Sequence, residues 1–268
     1  MAIRVVMAGA TGWVGRAMIP AIAAQDDMAL AGAVARSVAG QDSGVALGLP
    51  ANGVTVSASL EEALSVPSDV VVDYTKPDVV RANTLAAIDK GRHVVIGTSG
   101  LGAADYAEIG KAARDKGVGV LAAGNFSITA TLMKRFALMA AKYVPDVEVI
   151  DYASARKPDA PSGTARELAE ALAEVRGRST ARPVAEVLGV PGTRGAAVGG
   201  GDGVQVHALR LPSYILSCEA LFGLPDERLT IRHDAGSSAA PYVAGTLLAI
   251  RRVAEFKGLV RGLDALME

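Results

Sequence analysis

Lys157-Pro158-Asp159-Ala160-Pro161-Ser162-Gly163-Thr164-Ala165 gathers an ammonium, two hydroxyls and a glycine in one turn. The prolines and the glycine interrupt regular structure. The apolar spacing that follows, Ala165, Leu168, Ala169 and Leu172, predicts a helix opened by Ser162 or Thr164. A helix start presents unpaired backbone N–H groups and the positive end of the dipole. With the hydroxyls of Ser162 and Thr164 and the ammonium of Lys157, the stretch has the chemistry to hold a carboxylate. Taken alone, it also suits an ordinary Ser/Thr cap beside a solvated lysine.

The elements that must position this turn belong to a chain of 268 residues, enough for one large or two medium domains. Half of the residues are apolar, so a substantial core is available. Charge is nearly balanced, and no basic block or aromatic–basic pattern points to nucleic acid. The single cysteine, Cys218, excludes an internal disulfide framework and suits a reducing compartment. His93, His207 and His233 are the only histidines, and no cluster has metal-ligand spacing. The amino terminus runs straight into a strand pattern without the build of a signal peptide, and no apolar run is long enough to span a bilayer. The expectation is a soluble cytoplasmic protein with no membrane partner and no metal.

Ile3 to Ala8 reads as a strand, Gly9-Ala10-Thr11-Gly12-Trp13-Val14-Gly15 as a glycine turn, and the segment through Met18, Ile19 and Ile22 as a helix. Glycines there permit a tight turn and close approach of phosphate oxygens to the backbone, next to a helix start. The next strand ends in Ala35-Arg36-Ser37, where an acid would bind the adenosine 2′-hydroxyl of NADH. An arginine and a hydroxyl favour the 2′-phosphate of NADPH instead, with NADH as the alternative donor. Three more strands hand over to small-residue loops: Val70–Asp73 to Tyr74-Thr75-Lys76-Pro77, Val94–Ile96 to Gly97-Thr98-Ser99-Gly100, and Gly117–Ala122 to Ala123-Gly124-Asn125-Phe126-Ser127. Such loops line the ligand crevice of an open parallel sheet, and bare backbone at Gly97 and Gly124 would let a nicotinamide pack closely.

After Tyr143 the texture changes. Val147 to Tyr152 reads as a strand leading into the lysine turn, and Gly189 to Gly203 as a glycine-rich, mobile stretch. Val204–Leu211, Tyr214–Phe222 and Arg228–Arg232 follow as closely spaced strands of an antiparallel or mixed sheet. Tyr242 to Phe256 is an amphipathic helix able to return to the first domain. The expected fold is α/β: a Rossmann-type parallel-sheet domain (1–124 and 234–268) plus a smaller mixed α/β substrate-binding and oligomerisation domain (125–233). A flat apolar sheet face in the small domain would need covering, which suggests self-association.

Together Gly9–Gly15, Asp73–Pro77, Val95–Gly100, Asn125–Ser127 and above all Lys157–Ala165 resemble the 4-hydroxy-tetrahydrodipicolinate reductase family of lysine biosynthesis, over almost the whole chain. The resemblance implies a homotetramer that reduces a cyclic imine carboxylate with hydride from NADPH or NADH. It implies that Lys157, Ser162, Gly163 and Thr164 contact a substrate carboxylate, with Ser154 beside them. It places Gly9, Gly12 and Gly15, with Ala10, Thr11, Trp13 and Val14 between them, on the pyrophosphate. Arg36 and Ser37 fall at the ribose end, and Tyr74, Thr75, Lys76, Gly97, Thr98, Ser99, Asn125 and Phe126 toward the nicotinamide.

One departure bears on mechanism. The family usually carries a histidine pair shortly before the motif lysine, the first assigned as general acid. Counting back from Lys157, those positions are Ala153 and Ser154. Three accounts absorb the change. The proton donor has moved, with Lys157 the first candidate and Tyr152 or a bound water as others. The substrate is a different imine or oxo acid held by the same carboxylate clamp. Or the protein binds dinucleotide without catalysis. The family's carboxyl-terminal Ser-Arg pair is also missing, Ser237-Ser238 being followed by Ala239, whereas Arg210-Leu211-Pro212 and Glu219 resemble one branch of the family.

Overall fold

A run such as Val70-Val71-Val72 has no polar face, so it can lie only in a sheet covered on both sides. The computed structural model describes residues 2–267 and buries all three valines. Strands β1 (Ile3–Ala8), β2 (Met28–Val34), β3 (Val56–Ser57), β4 (Val70–Asp73), β5 (His93–Ile96) and β6 (Gly119–Ala122) alternate with helices α1 (Gly15–Ala23), α2 (Leu60–Ala63), α3 (Val80–Asp89) and α4 (Ala103–Lys116). Then come α5 (Ile128–Ala141), β7 (Val147–Ala153), α6 (Gly163–Val175), β8 (Ala196–Val198), β9 (Val204–Arg210), β10 (Leu216–Leu224) and β11 (Glu227–Ala235). The chain closes with α7 (Ala240–Arg252) and β12 (Gly258–Arg261).

Packing divides these elements into two units, Met1–Ile128 with Ala239–Glu268, and Thr129–Ser238. These seams fall a few residues beyond 124 and 233. Phe126 is still buried in the core of the first unit, and β11 keeps its ladder with β10 as far as Ala235.

The first unit is a seven-stranded sheet in the order β12-β6-β5-β4-β1-β2-β3, parallel in every ladder. Side chains alternate between two cores. Val5, Met7 and Val72 meet Met18, Ile19 and Ile22 of α1 and Leu247 and Ile250 of α7 on one face. Val6, Val71 and Val94 meet Leu60, Val80, Ile88 and Ile109 of α2, α3 and α4 on the other. Connections run outward in both directions from β1, so the topological switch lies beside its carboxyl end, where open α/β sheets bind ligands. The carboxyl-terminal helix does return here, and β12 extends the sheet by pairing with β6.

The second unit holds a mixed sheet in the order β11-β10-β7-β9-β8, with only β7 and β9 parallel. Val147, Val149, Ala220 and Phe222 pack on Leu168, Ala169 and Leu172 of α6 and on Met133 and Ala137 of α5. The expected flat apolar surface is not what the opposite face presents: Glu148, Tyr152, Glu219 and Arg232 lie among Ile150 and Leu221 on that side of the ladders. The stretch Gly189–Gly203 is not a bare loop either, since Ala196–Val198 forms the edge strand antiparallel to β9.

Candidate functional site

The glycine turn after β1 is dictated by its own backbone. Gly9 takes a φ of +85°, and a Cβ there would lie 2.2 Å from the Tyr74 carbonyl oxygen. A Cβ at Gly15 would lie 2.2 Å from the carbonyl oxygen of Gly9. A Cβ at Gly12 would lie 3.1 Å from that same oxygen, so a side chain there would press on the turn. The N–H groups of Gly9 and Ala10 donate to the Val34 carbonyl (3.1 and 3.0 Å), fastening the turn to the end of β2. No acceptor among the described residues meets the N–H groups of Trp13, Val14 and Gly15 at the start of α1. Bare backbone, unpaired donors and a helix start fit a dinucleotide pyrophosphate. The side chains of Ala10 and Val14 point into the core, so these two can offer a ligand only backbone. Arg16 Nε donates to the Thr11 carbonyl (2.9 Å), and exposed Trp13 stands edge-on to Tyr242 at 5.4 Å. Arg36 and Ser37 are exposed just beyond β2, and no acid among the described residues pairs with Arg36.

Asp73 organises the neighbouring loops. Wholly buried at the end of β4, it accepts from Thr75 N–H (3.0 Å), Thr75 Oγ1 (2.6 Å), Thr98 Oγ1 (2.7 Å) and Asn83 Nδ2 (2.9 Å). Thr75 and Thr98 are thus held on a protein carboxyl. Tyr74 donates to or accepts from Thr246 Oγ1 (2.8 Å), its ring edge-on to buried Phe126, and burial above all pushes its phenol up. The ring of Tyr74 and Phe126 therefore serve the core. The Cβ side of Gly97 is filled by the Tyr74 ring: a Cβ there would lie 2.1 Å from Tyr74 Cε1. Gly97→Ala is expected to cost about 1–3 kcal/mol, the usual price of overpacking, read as a lowered Tm. An unchanged Tm would contradict this packing role. Lys76 and Ser99 are exposed, and Asn125 Oδ1 accepts from Ser127 N–H (2.8 Å).

In the second unit Ser162 caps α6, as the sequence predicts, with its Oγ 3.4 Å from Ala165 N. It is 2 % exposed, and its N–H and Oγ–H both donate to Asp151 at 2.7 Å. Its donors are therefore turned inward. Gly163 is exposed, and a Cβ there would meet nothing within 4 Å. Neither packing nor backbone strain explains a glycine at that point. It leaves the helix start open to close approach. Lys157 Nζ lies 2.6 Å from Asp159 Oδ1. Burial would raise the Asp159 carboxyl, but the hydrogen bond and charge of Lys157, a backbone hydrogen bond and the charge of Arg210 together outweigh it and hold the group below its ordinary range. An ammonium has three donors, so this pair leaves capacity for a second anion. Thr164 follows Gly163 in the first turn of the helix.

Ala153 is wholly buried at the end of β7, opposite Arg210 in the parallel ladder. Ser154 shapes the turn with its backbone, donating N–H to the Ile215 carbonyl (3.3 Å) and accepting from Lys157 N–H (2.9 Å). Tyr152 donates to Glu219 Oε2 (3.0 Å) under the guanidinium of Arg232. Burial first and then Glu219 push its phenol up, which makes it a poor proton donor. The thiol of Cys218 is buried and pushed up to about 12, chiefly by burial, and is no nucleophile. Asp73 and Asp151 escaped the sequence reading, because each acts on partners brought to it by the fold. Among the described residues no His, Cys, Asp or Glu cluster could hold a metal, and no helix is long and apolar enough to cross a membrane.

A parallel sheet with a glycine turn and unpaired N–H groups at its switch point defines a dinucleotide-binding fold. Residues 3–126 match the family model for the dihydrodipicolinate reductase N-terminus, and 129–267 that for its C-terminus. The chain belongs to the dihydrodipicolinate reductase family. It is 41% identical to the 4-hydroxy-tetrahydrodipicolinate reductase of Synechococcus elongatus, over 99% of this chain and 98% of that protein. It is 40% identical to the Desulfitobacterium hafniense enzyme of that name, over 99% of both. Among solved structures it is similar to dipicolinate-bound dihydrodipicolinate reductase from Paenisporosarcina sp. TG-14, with a TM-score of 0.82, 33% identity and full coverage of both chains.

Proposed function

We infer that this chain reduces a cyclic imine carboxylate, 4-hydroxy-tetrahydrodipicolinate, at the expense of NADPH. The observation that carries this reading is the open helix start at Gly163, six residues after Lys157, in a chain alike along its whole length to reductases of that substrate. A reduced nicotinamide supplies hydride when bound, and the residues that would hold the dinucleotide are the backbone of Gly9–Gly15 with Arg36 at the ribose end. Lys157 and the N–H of Gly163 hold the substrate carboxylate, with Thr164 beside them. Ser162 orients the helix start from beneath. Lys157 also gives the imine nitrogen its proton on this reading, in a chain with no histidine at 153 or 154. By family resemblance the working form is a homotetramer, and sedimentation of the purified protein tests that.

The reading is tested by following NADPH absorbance with the imine supplied. Turnover supports it, and no turnover while dipicolinate still binds supports a second reading, a reductase of another imino or oxo acid. Buried Ala153 favours that second reading, because a histidine there would have to displace its surroundings. Arg36→Ala is expected to weaken NADPH about tenfold or more and NADH hardly at all, as loss of one charge-assisted contact predicts. Equal weakening of both would discard the 2′-phosphate contact.

A further inference from the structure

We propose that Asp151 and Arg210 are positioning residues of the carboxylate site, a pair that fixes the turn from Asp159 to Ser162 on the sheet beneath it. This rests on the reading of that turn as the substrate-carboxylate site. Asp151 is wholly buried on β7 and binds both donors of Ser162 at 2.7 Å. Arg210, on the adjacent strand β9, donates Nη2–H to Asp151 Oδ2 (2.8 Å) and to the Asp159 carbonyl (2.8 Å). Its Nη1 donates to the Leu209 carbonyl (2.9 Å) and the Asp151 carbonyl (3.3 Å). Both ends of the turn are therefore tied to one carboxyl–guanidinium pair. Asp159 in turn sets Lys157 Nζ.

The pair does two things for an incoming anion. Geometrically, it fixes the distance between the ammonium of Lys157 and the N–H of Gly163. Electrostatically, a buried carboxylate under a helix start would repel a substrate carboxylate and consume the dipole meant for it. The guanidinium of Arg210 offsets that charge at hydrogen-bond distance. Asp151 also explains why Ser162 faces inward: both of its donors are occupied, so it supports the site from behind.

The test compares Arg210→Met, Arg210→Lys and Asp151→Asn with the wild type. It reads KM and kcat for the imine, Kd for dipicolinate, Kd for NADPH, and Tm. Arg210→Met is expected to raise KM and the dipicolinate Kd about tenfold or more, with kcat falling less and the NADPH Kd unchanged. Arg210→Lys keeps the charge but loses the fork, and a rise of only about threefold is expected. Asp151→Asn sets an amide donor against a ring of donors and behaves like Arg210→Met. A purely structural pair would lower Tm and leave KM and both dissociation constants of the folded protein alone. Folded variants with KM and dipicolinate Kd within about twofold of wild type overturn the proposal. Should Arg210→Met fail to fold, the other two variants decide. A wild type that binds dipicolinate without reducing the imine loses only the substrate assignment, and the proposal is then read on Kd. A wild type that binds no dipicolinate overturns both.

Discussion

Lys157→Ala is expected to lower kcat/KM for the imine at least about 100-fold, while the NADPH dissociation constant stays within about twofold. Two losses add. The first is the charge-assisted contact to the substrate carboxylate, worth about 1.5–3 kcal/mol. The second is the proton donor that Lys157 is proposed to be, since no histidine stands at 153 or 154 and Tyr152 is committed to Glu219. Stability changes little, because a half-exposed ion pair such as Lys157–Asp159 contributes at most about 1 kcal/mol. The two roles separate kinetically. Loss of carboxylate binding raises KM, whereas loss of the proton lowers kcat. A decrease in kcat/KM below about threefold, less than ~1 kcal/mol of transition-state stabilisation, would remove Lys157 from the mechanism.

The second large effect is expected at a residue that touches neither substrate nor hydride. Asp73→Ala leaves the Thr75 hydroxyl and N–H and the Asn83 amide without their acceptor, and leaves the Thr98 hydroxyl only the main-chain carbonyl at that position (3.2 Å). Stranding donors around a removed buried carboxyl costs about 3–5 kcal/mol. Chemical denaturation would show the midpoint shift, and NADPH affinity is expected to fall about tenfold or more as the Thr75 and Thr98 loops lose their anchor. Asp73→Asn should rescue little. All four partners donate, and a carboxamide brings a donor of its own into the ring. A variant with wild-type stability would show that the loops hold themselves.

Much of this molecule was legible in the residue order. The Val70–Val72 run, the glycine turn after β1 and the loops after β4, β5 and β6 announce a parallel sheet with its crevice at one end, because those signals are local in sequence. Ser162 as a helix cap is equally local, since the cap and the N–H it accepts from lie three residues apart. The short β3, α2 and β12 left weaker traces, being too brief for a period to show. Where side chains aim was another matter. Tyr74, Phe126, Ala10, Val14 and Ser162 stand at motif positions, yet packing turns their side chains inward. Gly97 is small where the Tyr74 ring lies against it.

The sequence by itself determined the order of elements, the backbone turns that glycine alone permits, and the absence of histidine from 153 and 154, since each depends only on residue type and near neighbours. Only the tertiary structure decided that Asp73 gathers residues from two loops and that Asp151 meets Arg210, 59 positions away, beneath the lysine turn. Such contacts join strands that are adjacent in a sheet but distant in the chain, and no local spacing encodes which strand lies next to which.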